Sequence, residues 1–226
     1  MVSYRSSFGL TSVGDLLFAT GGFGDARAPL ESVEAFSAGV GWRQEPGMGI
    51  GVAKYSHCSV AIGSWLYTIG GLLDGTTEDN VSNVVEAYDT SLISSEDDPL
   101  TTWIGKANLI DKRHSHGCHV GAFEGKEGIF VAGGFNGTDY LSSVEFYIVA
   151  LDSWHAIGSL NTARRYCPMT ILGEQIMLGG GYPGPMASLE AWNGTSWVEL
   201  TMKLSVGRAR YAAVSIKAGK LLCRTE

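Results

Sequence analysis

This sequence is short of charge. Asp, Glu, Lys and Arg make up 17% of its 226 residues, against about a quarter in an ordinary soluble domain. The acidic residues outnumber the basic ones, 23 to 16, for a net charge of −7 and a pI near 5.2. That balance argues against non-specific binding to nucleic acid or to anionic membranes. No apolar run approaches the roughly 18 residues that a membrane helix needs. The start, Met1-Val2-Ser3-Tyr4-Arg5, lacks the charged segment and apolar stretch of a signal peptide. Cysteine is sparse too. Cys58, Cys118, Cys167 and Cys223 are too few and too far apart for a disulfide framework or a zinc motif. The expectation is a cytoplasmic chain with unpaired thiols. Asn80-Val81-Ser82, Asn136-Gly137-Thr138 and Asn193-Gly194-Thr195 are formal N-glycosylation acceptors and keep a secreted alternative open. Two of them contain Asn-Gly, which is also ordinary turn chemistry.

Glycine, in contrast, is abundant. Its 31 residues are roughly twice the usual share, and with scarce Lys and Glu they fit a β-rich, turn-rich chain. Double glycines fall at Gly21-Gly22, Gly70-Gly71, Gly133-Gly134 and Gly179-Gly180, at spacings of 49, 63 and 46 residues. Each follows a short apolar strand, "DLLFAT", "SWLYTI", "GIFVA" or "QIMLG". After each comes a polar loop and a strand with a central glutamate: Glu34 in "SVEAF", Glu86 in "VVEAY", Glu145 in "SVEFY", Glu190 in "SLEAW". A tryptophan closes each unit, at Trp42, Trp103, Trp154 and Trp197. Periods near 50 residues with four short strands each are the signature of propeller blades.

The order of apolar strand, Gly-Gly, loop, Glu and Trp resembles the kelch repeat over essentially the whole chain. The resemblance implies an all-β kelch-type β-propeller forming a single domain over 1–226. Four full four-stranded blades are expected over about 5–49, 50–110, 111–161 and 162–205, with a half blade over 206–226. Kelch propellers usually have five to seven blades and complete the last one with strands from both termini. Four and a half blades therefore imply a fragment, or a ring closed by strands from the C-terminus. The departures from the pattern are local. The second unit carries the insert "SLISSEDDPLTT" before Trp103, the third carries about three extra residues at "EGKEG", and the fourth has Ile176 where the others have Phe or Tyr. The glycine pairs mark positive φ or a close backbone approach, and the tryptophans supply surface to pack between blades.

In an antiparallel meander the start of strand one and the loop after strand two share one rim. Sixteen residues before the glycines stand Arg5, Lys54 and, allowing for the insert, His114. Lys112, Arg113, Arg164, Arg165, Arg208 and Arg210 lie at or beside the corresponding places, so half of the 16 basic residues gather there. The loops after the glycines add Phe23, Asp25, Arg27, Asp74, Phe135, Asn136, Tyr140, Tyr182 and Pro183. Arginines framed by exposed aromatics suit an acidic or amphipathic peptide partner. Kelch propellers used as substrate adaptors of ubiquitin ligases bind short peptides on this rim, so the resemblance implies the same partner class. The binding set expected is Arg5, Lys54, Arg113, His114, Arg164, Arg165, Arg208, Phe135, Tyr140 and Tyr182. The adaptor role itself would need BTB and BACK regions, which these 226 residues do not hold. The same cations could instead pair with Glu34, Glu86, Glu145 and Glu190 as an electrostatic staple.

No catalytic residue, metal or cofactor is expected. "HSHGCHV" holds His114, His116, Cys118 and His119, but three ligands so close on one strand rarely surround one ion, and Cys118 reads as a small core residue aligned with Cys58 and Cys167. Outside that stretch only His57 and His155 remain, so the copper set of galactose oxidase-like propellers is not evident. Arg5, Arg164 and Arg208 with the glutamates keep a sugar-binding or sialidase-like enzyme as an alternative, and an actin-associated scaffold as another. "DGTTEDN", Asp74 to Asn80, lacks the ligand spacing of a calcium loop and reads as a turn.

Overall fold

The computed structural model describes residues 1–25, 28–48, 53–73, 77–92, 102–173 and 175–213. Their strands fall into four antiparallel sheets, each built from four strands consecutive in the chain. The first sheet comprises β1 (Gly9–Val13), β2 (Leu16–Thr20), β3 (Val33–Ser37) and β4 (Gly41–Glu45). The second comprises β5 (Cys58–Ile62), β6 (Trp65–Leu72), β7 (Val81–Asp89) and β8 (Ile104–Lys106). The third runs through β9 (Gly117–Phe123), β10 (Lys126–Ala132), β11 (Ser143–Ile148) and β12 (Ser153–Ser159). The fourth holds β13 (Met169–Leu172), β14 (Gln175–Gly179), β15 (Met186–Trp192) and β16 (Trp197–Arg208). Helix among the described residues is limited to two 3-10 turns, Thr90–Leu92 and Val149–Leu151. The first strands of neighbouring sheets lie against one another, so they form the inner edge, as in the blades of a β-propeller.

Blade packing explains why the second strands read as continuous apolar runs. Ile129 and Val131 of β10 join a core with Tyr67, Ile69 and Val85 of the second blade. Phe130 and Ala132, pointing the other way, join a core with Ile176, Leu178 and Trp192 of the fourth. A strand buried on both faces has no polar alternation to show. The tryptophans sit in these seams as expected. Trp103 packs into the first-blade core and donates its indole N–H to the Pro46 carbonyl at 3.2 Å. Trp154 does the same one blade later, donating to Ala107 at 2.9 Å, and Trp197 is buried in the third seam. Trp42 is half-buried and packs on Phe36 at 5.4 Å.

The glycine pairs are where one blade meets the backbone of the next. A Cβ on Gly21, Gly70, Gly133 or Gly180 would stand 2.5 Å from the carbonyl oxygen of Lys54, Arg113, Arg164 or Arg208 respectively. The following glycine donates its N–H to that same oxygen: Gly22 to Lys54 and Gly71 to Arg113 at 2.9 Å, Gly134 to Arg164 and Gly181 to Arg208 at 2.8 Å. All eight residues have positive φ, and the contact leaves no room for a side chain.

This seam corrects three sequence readings. The fourth pair is Gly180-Gly181, with φ of 59° and 113° like the other pairs; Gly179 ends β14. Met177, which pairs with Ala191 as Phe18 pairs with Ala35, therefore takes the place assigned to Ile176. In the third blade, β9 and β10 have 7 residues each where β1 and β2 have 5. The hairpin is thus lengthened by two residues on each strand, and the counterpart of Arg5 is Arg113 rather than His114.

Two further differences concern the cysteines and the chain's end. Cys58 of β5 and Cys118 of β9 form a disulfide across 60 residues of sequence, with Cα atoms 6.2 Å apart. Neighbouring inner strands run side by side, which sequence spacing does not reveal. Cys167 is a buried free thiol. β16 continues to Arg208, past the expected blade end at 205. Residues 214–226, including Cys223, and residues 93–101 of the acidic insert lie outside the described residues.

Candidate functional site

Each of the four sheets is preceded by four residues in a fixed arrangement, Arg5-Ser6-Ser7-Phe8, Lys54-Tyr55-Ser56-His57, Arg113-His114-Ser115-His116 and Arg164-Arg165-Tyr166-Cys167, and Arg208-Ala209-Arg210-Tyr211 repeats it at the end of the fourth. The first is the cation of the seam. The second sits on the rim, pairing with the loop after its own blade's glycines: Ser6 with Phe23, Tyr55 with Leu72, His114 with Phe135, Arg165 with Tyr182. The third has positive φ in every unit, from 51° to 58°. There Ser56 donates its N–H to Ser7 at 2.8 Å, Ser115 to Ser56 at 2.8 Å and Tyr166 to Ser115 at 2.7 Å, a belt of backbone bonds from blade to blade. Non-glycine residues in this region persist only where the surroundings fix them. The fourth packs under the preceding blade's glycine, as His57 does at Gly21 and His116 at Gly70.

The first cation is a buried staple. Arg113 donates to the Gly133 and Ser143 carbonyls, to the Ser143 hydroxyl and, at 2.6 Å, to Glu145. Arg164 repeats this on Gly180, Ser188 and Glu190, and Arg5 on Gly21, Ser32 and Glu34. Each glutamate also accepts two backbone N–H groups of the segment entering its blade: Val2 and Ser3, Ile110 and Asp111, Asn161 and Thr162. Burial raises the Glu34 carboxyl, but those two N–H groups and Arg5 outweigh it and hold it below its usual range. The second blade has Lys54 on Glu86 at 2.7 Å, and there Val84 replaces the serine two residues before the glutamate. The Lys54 ammonium also reaches the Thr68 hydroxyl at 3.4 Å but lacks the planar fork that meets a serine and a glutamate side by side, so cation and Ser-x-Glu change together.

Arg5, Lys54, Arg113 and Arg164 have side chains with 0% exposure. As members of the expected binding set they are corrected: the staple takes them, and no partner reaches them at the surface. Arg208 is exposed and lies 5.9 Å from the Tyr211 ring. His114 is buried edge-on against Phe135 at 5.7 Å, with burial pushing it down to about 4.

Arg165 is different. Its guanidinium lies 4.8 Å from the Phe135 ring, 4.9 Å from Tyr166, 5.5 Å from Tyr140 and 5.7 Å from Tyr182. The rings also touch one another, Phe135 with Tyr140 at 5.2 Å and Tyr140 with Tyr182 at 5.8 Å. Cation–π contacts hold the guanidinium flat while leaving its N–H groups free to donate. Its Nη1 donates at 2.7 Å to Glu78, from the second blade. Burial lowers the Arg165 pKa, but the bond and charge of Glu78 outweigh it. Arg210 lies 4.5 Å from the Tyr166 ring and donates to its hydroxyl at 3.2 Å.

Beside this cluster opens a cavity of about 790 Å³, bounded by Ser7, Ser56, Ser115, Tyr166, Glu78 and Arg210 among others. Of the expected residues, Arg165, Phe135, Tyr140 and Tyr182 thus lie together in one cluster. Glu78, Tyr166 and its contact with Arg210 were missed. The signal for Tyr166 and Arg210 was their place, two residues after a seam cation. Phe23 packs on Tyr55 at 5.0 Å, away from Arg165, and Asn136 caps its own turn through Thr138 and Asp139. Arg27 and Asp74 lie outside the described residues.

The family profile of the Kelch motif matches residues 116–161, which hold the third blade's strands. Spermatocyte protein spe-26 of Caenorhabditis elegans is 29% identical over 173 residues. The chain thus carries a Kelch motif within an all-β fold of propeller-like blades. The match to spe-26 spans 72% of the chain but only 27% of that relative's length, so the chain corresponds to about a quarter of it.

In the kelch frame the "HSHGCHV" residues part company. His114 bonds Ser115, His116 lies under Gly70, Cys118 joins Cys58, and His119 bonds the Val120 carbonyl. The strand alternation that would align the first three fails at Ser115, whose φ is 53°. Cys118 does not align with Cys58 and Cys167 either, since the three occupy different places after their seam cations. The sugar-enzyme alternative loses Arg5 and Arg164 to Glu34 and Glu190.

Proposed function

We propose that this chain is a protein-interaction module that holds an acidic peptide segment at Arg165. The observation that carries the reading is the Arg165 guanidinium among four aromatic rings, with a carboxylate already bonded to it. An acidic side chain of a partner would bond Arg165, and its apolar neighbours would rest on Tyr140 and Tyr182. Aromatic and arginine anchors beside a cavity are the usual energetic centres of such interfaces. Service as a ubiquitin-ligase substrate adaptor belongs to this proposal only for a longer protein that brings the ligase-binding regions.

The test is fluorescence anisotropy with a labelled peptide of alternating Glu and Tyr, against one of alternating Lys and Tyr. Saturable binding of the acidic peptide is expected, weakened at least tenfold in Arg165→Ala and reduced by added salt. Equal binding of both peptides, or binding indifferent to Arg165→Ala, overturns the proposal.

A further inference from the structure

Glu78 differs from every carboxylate in the staples. Glu34, Glu145 and Glu190 each bond a guanidinium and two backbone N–H groups, and their side chains are 0–2% exposed. The Glu78 side chain is 46% exposed and uses one oxygen on one nitrogen of Arg165. Arg165, by contrast, is only 12% exposed, stacked among its rings, and its Nε has no acceptor among the described residues. The cation is therefore fixed while its carboxylate partner is loosely held. A single, partly exposed bond of this kind is worth little. A carboxylate meeting the guanidinium fork with both oxygens makes two charge-assisted bonds in its place. Glu78 also reaches Arg165 from a blade two positions away and borders the cavity that a ligand would enter.

We infer that Glu78 is a built-in competitor: it occupies Arg165 as an internal acidic ligand, and a partner's carboxylate binds by displacing it. The inference rests on the reading of Arg165 as a peptide site and adds how that site is regulated. Only the Glu78 side chain has to turn toward solvent. Acidic segments that take Arg165 with both oxygens bind, and those offering one oxygen gain nothing over Glu78. The built-in carboxylate thus sets an affinity threshold.

The experiment compares the unaltered chain, Glu78→Gln, Glu78→Asp and Arg165→Ala with the labelled Glu–Tyr peptide. Glu78→Gln removes the charge and is expected to tighten binding fivefold or more. Glu78→Asp, with the carboxylate drawn back by one methylene, is expected to fall between. Arg165→Ala abolishes binding in either background. Equal affinity of Glu78→Gln and the unaltered chain, with binding still lost in Arg165→Ala, overturns the competitor and leaves the peptide site standing. Weaker binding in Glu78→Gln overturns it too, since Glu78 would then orient Arg165 for the ligand. No binding by any form overturns both.

Discussion

Arg164 and Glu190 meet at 2.7 Å with neither side chain exposed, while the next residue, Arg165, points to the rim and meets an exposed carboxylate. One dipeptide thus divides two duties, with its first arginine inside the blade and its second on the face. Arg165 lies in extended backbone bridged to Tyr182, where successive side chains leave opposite sides of the chain, so the two arginines face different surroundings.

The staple couples cation to hydroxyl, and this coupling is measurable. Ser188→Ala removes one of the two side-chain acceptors of Arg164 Nη2 and is expected to cost about 1 kcal/mol. In the second blade, Lys54→Arg lacks that hydroxyl because Val84 stands in its place. Combining Lys54→Arg with Val84→Ser is expected to recover about 1 kcal/mol beyond the sum of the single changes, read by urea unfolding in a double-mutant cycle. Additive values would mean that the serine does not select arginine.

Acid is expected to destabilise the chain well above the range of its carboxylates. Burial pushes His57 down to about 3 and His114 to about 4, from an ordinary 6.5. Both stay neutral in the fold, and the unfolded chain takes up their protons first. Stability therefore falls as pH drops below about 6.5, each histidine adding a slope of up to about 1.4 kcal/mol per pH unit. Glu34 adds to the loss further down, because its folded value lies below 4.5 and its contribution disappears as pH falls through that value. Unfolding midpoints at pH 7, 6 and 5 are expected to decline, and less steeply in His57→Gln. A flat profile over that range contradicts the buried, neutral histidines.

The Cys58–Cys118 bond closes a loop of 60 residues, worth up to about 4 kcal/mol by loop-closure entropy. Non-reducing peptide mapping is expected to find the two cysteines linked, and a reductant is expected to lower the melting temperature. Separate peptides, or a melting temperature indifferent to reductant, contradict the link.

The repeat was legible because glycine, glutamate and tryptophan each meet one steric or electrostatic demand in every blade. Its register was legible only in part. Three glycines in a row, Gly179 to Gly181, hide which two meet Arg208, and the lengthened β9–β10 hairpin hides that Arg113 aligns with Arg5. The fate of the cations was harder still, since a basic residue beside a glutamate reads equally as rim charge or as staple. The paired change from arginine with Ser-x-Glu to lysine with Val-x-Glu was the clue within the sequence itself. Glu78 gave no such sign, because its loop meets Arg165 only when blades two and four are in place.

The most direct measurement sets Arg164→Ala beside Arg165→Ala, recording urea unfolding and Glu–Tyr peptide binding for both. Arg164→Ala leaves Glu190 buried without its cation and is expected to lose about 3–5 kcal/mol of stability. Arg165→Ala is expected to unfold within about 1 kcal/mol of the unaltered chain and to lose peptide binding. An Arg165→Ala chain that is strongly destabilised, or one that binds the peptide undiminished, would contradict the division between a cation that holds the blade and a cation that holds the partner.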